Sequence, residues 1–180
     1  RSNTVETLAQ RVEHAKALND GSTPVEEAER LLALVAELNV HDRVTRGHSD
    51  RVRAYAQLIG KELHLTANEL DALNWAALLH DVGKLEVPAE ILNKPGRPTD
   101  EEWVVLRRHT VYGEELIAPL RAWLGEWSHA VGQHHERWNG SGYPYRLAGD
   151  GISLAARIVA VADVFDVITS ARSYKAPLSS

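Results

Sequence analysis

The stretch "LLHDVGKLEVPAEIL", Leu78 to Leu92, closes an apolar helical run on an imidazole and a carboxylate, His80 and Asp81. Two titratable groups stand where the pattern expects core, and burying them unpaired costs several kcal/mol. Other polar residues interrupt apolar runs in the same way. His134 and His135 follow "SHAVGQ", Asp163 breaks "ARIVAVADVFDVI", His109 closes "EEWVVLRRH", and His48 opens the helix after "RVTRG". Singly, each has a plain structural explanation. A lone histidine at a helix end is more often a cap or a hydrogen-bonded core residue, Asp163 could pair with Arg157, and adjacent histidines occur on solvated faces. Jointly the balance reverses. Five imidazoles and two carboxylates on separate helices suit divalent metals, which favour neutral imidazole and carboxylate donors. One metal takes about four to six ligands, so seven side chains fit two metals sharing a bridging carboxylate.

Helices must carry these donors. "TVETLAQRVEHAKALN", residues 4–19, spaces its apolar residues helically and stops at "DGS". "STPVEEAERLLALVAELNV" opens with Thr23 as N-cap, Pro24 in the first turn and acids behind it. A third amphipathic helix runs through "GHSDRVRAYAQLIGKELHL". Thr66, with Glu69 three residues on, is the pattern of a capping box, and Thr99 with Glu102 repeats it ahead of a helix expected to run through His109. "GEWSHAVGQHHERW" reads as one further helix, "NGSGYPYRLAGDGIS" as a Gly/Pro-rich loop, and "LAARIVAVADVFDVITSAR" as a long apolar helix. No alternating strand pattern competes. The expected architecture is all-α, a bundle of about seven helices able to converge the donors. "NDGST", residues 19–23, is the expected boundary between the first helix and the main body.

At 180 residues, with 44% hydrophobic and 25% charged residues, the chain suits one domain with a sizeable core. No stretch approaches the roughly 18 uncharged apolar residues of a membrane span, and "RSNTVETLAQRVEH" has no signal-peptide core. Cysteine is absent, which removes disulfides and thiolate metal sites and permits a reducing cytoplasm, the expected location. A net charge of −5 without a Lys/Arg-rich run argues against a nucleic-acid polymer as partner. It leaves room for a small anion held by local cations. The sequence opens on Arg1 rather than Met, as an excised segment would.

"HDVGK" together with "HHERWNGSGYP" resembles the HD-GYP family, a branch of the HD-domain metal phosphohydrolases. The resemblance runs from Thr45 to Lys175 and adds "TRGHSDRV", "TDEEWVVLRRHTVYG" and "ARIVAVADVFDVITSARSYK", five motifs in order. It implies an all-α bundle of the HD/HD-GYP type that hydrolyses cyclic di-GMP to the linear dinucleotide and in some members onward to GMP. It implies a centre of two or three ions, commonly iron or manganese. By motif position the ligands would be His48, His80, Asp81, His109, His134, His135 and Asp163, with Asp81 bridging. A hydroxide shared by two metals, its pKa lowered from 15.7 to about 7, would attack phosphorus in line with the departing 3′-oxygen. Lys84 is expected to reach a non-bridging phosphate oxygen; outside this context it would read as a solvated helix-end lysine. Tyr143 resembles the tyrosine that lies against substrate, and Arg172 and Lys175 in "SARSYK" match phosphate-holding cations.

The sequence also departs from the family pattern. Members with three metals carry a glutamate four residues before the first histidine; Val44 stands there, so two metals are expected. "GYPxGL" reads "GYPYRL", with Arg146 for Gly, and "RPY" reads "RSY", with Ser173, and both changes flank the substrate loop. The chain ends at Ser180, before the last helices common in the family, so a shortened C-terminus with exposed apolar surface is expected. Residues 1–44 are read as an N-terminal helical connector from a sensory module or a homodimerisation element, and 45–180 as the HD-GYP-like domain. Two other functions stay open. One is a different HD-class hydrolase acting on a hybrid cyclic dinucleotide or a nucleotide; the other is a non-catalytic metal-binding interaction domain.

Overall fold

The computed structural model describes residues 47–170, together with Glu26, residues 33–38, Val40 and Asp42. Residues 4–19, Thr23, Pro24, Val44, Arg172, Ser173 and Lys175 lie outside the described residues, as do the expectations resting on them. Residues 33–38 are helical. The α-helices that follow are α1 (His48–Glu62), α2 (Ala67–Leu79), α3 (Ala89–Leu92), α4 (Asp100–Arg107), α5 (His109–Leu116), α6 (Arg121–Leu124), α7 (His129–Gln133) and α8 (Leu154–Thr169). Among the described residues there is no strand, only an isolated bridge between Asn139 and Ala148. The fold is all-α, as the sequence predicts.

Both capping boxes form. Thr66 Oγ1 accepts the Glu69 N–H while Glu69 Oε2 accepts the Thr66 N–H, and Thr99 and Glu102 repeat the exchange. Two helices break where the sequence reads them as continuous. The helix expected through His109 is interrupted at Arg108, because His109 Nδ1 and Thr110 Oγ1 donate to the carbonyls of Leu106 and Arg107 and compete with the backbone ladder. "GEWSHAVGQHHERW" divides into a 3₁₀ turn, Gly125–Ser128, and the single turn and a half of α7. The chain leaves α7 after Gln133 because buried Glu136 faces the following loop, where its carboxylate accepts the N–H groups of Tyr145 (2.6 Å) and Leu147 (3.1 Å).

Helix α2 is the axis of the molecule. On one side Trp75, Leu78 and Leu79 pack with Val82, Ile117, Leu120, Leu124 and Val131, and Leu34 and Val35 close over them. On the other side Ala76 and Ala77 meet Val52 and Ala56 of α1 and Ala155, Ile158, Val159 and Ala162 of α8. Small residues on that side let three helices approach closely; large ones on the other fill the wider gap. The last five residues of α2, Trp75 to Leu79, are apolar and buried on every side, and this C-terminal end delivers His80 and Asp81 to the interior. Along α8, Val161, Val164, Phe165 and Ile168 remain exposed.

Candidate metal centre

Each imidazole is aimed by its own helix end. His80 caps the C-terminus of α2, and its Nδ1 lies 2.7 Å from Ala77 O. His109 is the first residue of α5, with Nδ1 2.6 Å from Leu106 O. His134 follows α7, with Nδ1 3.0 Å from Val131 O. A carbonyl only accepts, so in all three rings Nδ1 carries the proton and Nε2 turns a lone pair inward. His48, opening α1, places Nδ1 2.6 Å from Asp166 Oδ2 instead.

Two groups of donors result. His48, His80 and Asp163 form one; Asp81, His109, His134 and His135 form the other; within each, the ligand atoms lie within 4.8 Å of one another. All seven residues singled out in the sequence therefore converge. Asp81 faces both groups: Oδ2 is 3.3 Å from His80 Nε2, and Oδ1 is 3.5 Å from His109 Nε2 and 3.9 Å from His134 Nε2. The donor chemistry fits cations. His109 Nε2 and His134 Nε2 point their lone pairs at each other across 3.3 Å, and the buried His80 Nε2 has no hydrogen-bond partner. A positive ion between such groups satisfies what nothing else at the site does.

The electrostatics agree. Burial, then the neighbouring His135, His80 and His109, hold His134 well below the ordinary imidazole value, and burial likewise lowers His109. Burial brings His135 to about 4. These rings are neutral at neutral pH, the form in which an imidazole could hold a metal. Burial alone would raise the Asp81 carboxyl, but Lys84 and His80 reverse that and keep it well below the usual carboxylate range. Burial also opposes Asp163, which the hydrogen bond to His48 holds low. For His80 burial pulls down, and the Asp81 and Asp163 carboxylates outweigh it, so the net shift is upward.

Backbone proximity closes the site. A Cβ on Gly83 would stand 1.9 Å from His109 O and 2.3 Å from Gly113 N. Only glycine lets the 3₁₀ turn Val82–Glu86 lie against α5, and that contact brings His109 to Asp81. Tyr143 stacks over His135 with ring centroids 4.9 Å apart, and the Arg107 guanidinium lies 5.3 Å over the Tyr143 ring. Lys84 Nζ is 2.7 Å from Asp81 Oδ2 and 3.3 Å from Asp42 Oδ2, so it is paired rather than solvated. Arg157 pairs with Asp150, not with Asp163.

Sequence reasoning missed four residues here: Asp166, Asp42, Glu136 and Arg107. Asp166 had a signal, since it lies three residues beyond Asp163 in an apolar helix and so on the same face. Asp42, Glu136 and Arg107 stand in polar surroundings that give no sequence signal.

Residues 29–180 match the family model described as HD domain. The chain is 42% identical over 154 residues to the cyclic di-GMP phosphodiesterase response regulator of Xanthomonas campestris pv. campestris, covering 84% of this chain and 41% of that protein. It is 39% identical over 145 residues to the 3′3′-cGAMP-specific phosphodiesterase 2 of Vibrio cholerae, covering 80% and 28% respectively. A cyclic di-GMP phosphodiesterase of Pseudomonas aeruginosa is 40% identical over 164 residues, covering 90% and 39%. The chain thus spans well under half the length of these curated relatives. With the motif residues from His48 to Asp163 gathered into two adjoining groups of imidazoles and carboxylates, it belongs to the HD-domain family, in the HD-GYP branch.

Proposed function

We propose that the chain is a metal-dependent phosphodiesterase that hydrolyses cyclic di-GMP to the linear dinucleotide. The observation that carries this is the placement of Asp81 between two groups of imidazoles, one oxygen toward each. It supports two ions joined by Asp81, and a sulfur-free set of imidazoles and carboxylates suits iron or manganese. Divalent ions held there would supply the Lewis acidity that activates water near neutral pH and offsets phosphate charge.

The chain's own residues do the rest. Lys84 holds an ammonium at the edge of Asp81, with Asp42 behind it, where it can meet a non-bridging phosphate oxygen. Tyr143, packed on His135 and overlain by the exposed Arg107, stands beside the centre where substrate would arrive, and Arg107 adds a cation to those expected from Arg172 and Lys175. Hydrolysis of 3′3′-cGAMP is the second reading, favoured by the Vibrio relatives bearing that name. No helix among the described residues is long and apolar enough to cross a membrane. A cytoplasmic location, a homodimer through the N-terminal helices and control by an upstream sensory domain complete the proposal, supported by the cysteine-free composition and the amphipathic residues 4–19.

Metal-loaded protein is to be incubated with cyclic di-GMP, 3′3′-cGAMP and mononucleotides, and the products separated by chromatography. Cleavage of a cyclic dinucleotide is expected, and Lys84→Ala is expected to slow it by roughly 10²–10³ while keeping its metals. Cleavage of mononucleotides alone would replace the reading with a nucleotidase. No cleavage with both metals bound and reduced would leave an interaction domain.

A further inference from the structure

Three of the ring-fixed histidines rest on a neutral backbone carbonyl, whereas His48 rests on a carboxylate. That carboxylate, Asp166, is only 1% exposed and is itself clamped. Arg51 donates from Nε to Oδ1 at 2.6 Å and from its terminal nitrogen to Oδ2 at 3.1 Å, and Ser170 Oγ donates to Oδ1 at 3.0 Å. One turn earlier on α8, Asp163 Oδ1 lies 3.1 Å from the other ring nitrogen, His48 Nε2. Both nitrogens of one imidazole are thus gripped from a single helix face.

We propose that Asp166, held by Arg51, is the positioning residue of the His48 half of the centre, making the two metal positions unequal in affinity. A carboxylate bonded to Nδ1–H fixes the ring plane and makes Nε2 a stronger donor than a carbonyl does. Arg51 has two effects. It saturates Asp166, so that this acid does not turn inward as a competing ligand, and it anchors the assembly to α1, the helix that carries His48. The group of Asp81, His109, His134 and His135 has no such support among the described residues; its fixed rings rest on carbonyls. The inference rests on the two-metal reading above.

The test is titration of the metal-free full chain with cobalt(II), followed by its visible absorption bands, on the parent and on Asp166→Asn, Arg51→Gln and Ser170→Ala. Asp166→Asn is expected to weaken one position by roughly 10- to 100-fold, the usual effect of losing such a partner, and to shift only the bands of that ion. Arg51→Gln is expected to weaken the same position less, and Ser170→Ala, which removes one hydrogen bond from Asp166, least of all. Two positions unaltered in Asp166→Asn, or both weakened equally, would overturn the proposal. Should Asp166→Asn fail to fold, Arg51→Gln decides by the same criterion. If the parent binds a single cobalt ion, the two-metal reading fails on its own; Asp166 is then judged by whether that one affinity falls in Asp166→Asn.

Discussion

Replacing Gly83 by alanine tests the link between backbone packing and metal binding. The added methyl would begin 1.9 Å from His109 O and 2.3 Å from Gly113 N, where ordinary contact begins near 3.4 Å. Both neighbours are backbone of α5, so neither can rotate away. The helix must retreat by about 1.5 Å, an overpacking strain that typically costs roughly 1–3 kcal/mol. The same movement carries His109 away from Asp81, whose facing atoms now stand 3.5 Å apart. Metal sites tolerate errors of about 0.2 Å in ligand distance, so a shift several times larger is enough to open the position. Gly83→Ala is therefore expected to fold, to melt several degrees lower, and to retain the ion of the His48, His80 and Asp163 group while losing the other. Elemental analysis together with thermal melting would read both effects. A folded variant with parental stability and a full metal complement would refute the reasoning.

Three further outcomes are expected. Asp81→Ala removes the one carboxylate facing both groups and should empty both positions, whereas His109→Ala should empty mainly one; equal metal loss in the two variants, by elemental analysis, contradicts this assignment. Arg146 is left-handed, with φ 55°, so Arg146→Gly should escape the usual loss of about 1 kcal/mol on introducing glycine and match or exceed the parent in urea midpoint. For metal-free protein, His135 near 4, with His109 and His134 lowered in the same direction, means that the unfolded chain binds more protons between about pH 6.5 and 4. That stability is present above pH 6.5 and lost as the pH falls, with His80 shifted the other way against the three, so urea midpoints should fall from about pH 7.5 to 5; a flat or rising profile contradicts it.

The parts legible in the sequence are those governed by local rules. Thr66 with Glu69 and Thr99 with Glu102 cap where their spacing says, because each box closes within three residues. The candidate donors stood out jointly because most lie beside apolar runs, where imidazoles and carboxylates of one chemical kind need a common explanation, and because their motifs resemble those of a known family. The break after Gln133 was not, because its cause is Glu136 bonding to residues 9 and 11 positions away. Nor was the break at Arg108, where His109 serves the centre and at the same time takes a carbonyl from its own helix. Asp166 was passed over because one acid in α8 already accounted for the polar interruption. Its partner, Arg51, is 115 residues distant in sequence.

The loop after the paired histidines takes its shape from an acid outside its own turn. Glu136 gathers the N–H groups of Tyr145 and Leu147, while the side chains at Tyr145 and Arg146 stand exposed. Conformation and surface chemistry are therefore written in different residues. A lineage of such chains can rewrite the outward-facing positions of this loop, changing the surface it presents, without having to discover a new backbone each time. Arg146, where the family pattern has glycine, is a substitution of that kind: it keeps the left-handed turn and alters what the loop presents. The acid that makes such drift harmless is itself expected to resist replacement, since its loss would release the whole loop at once.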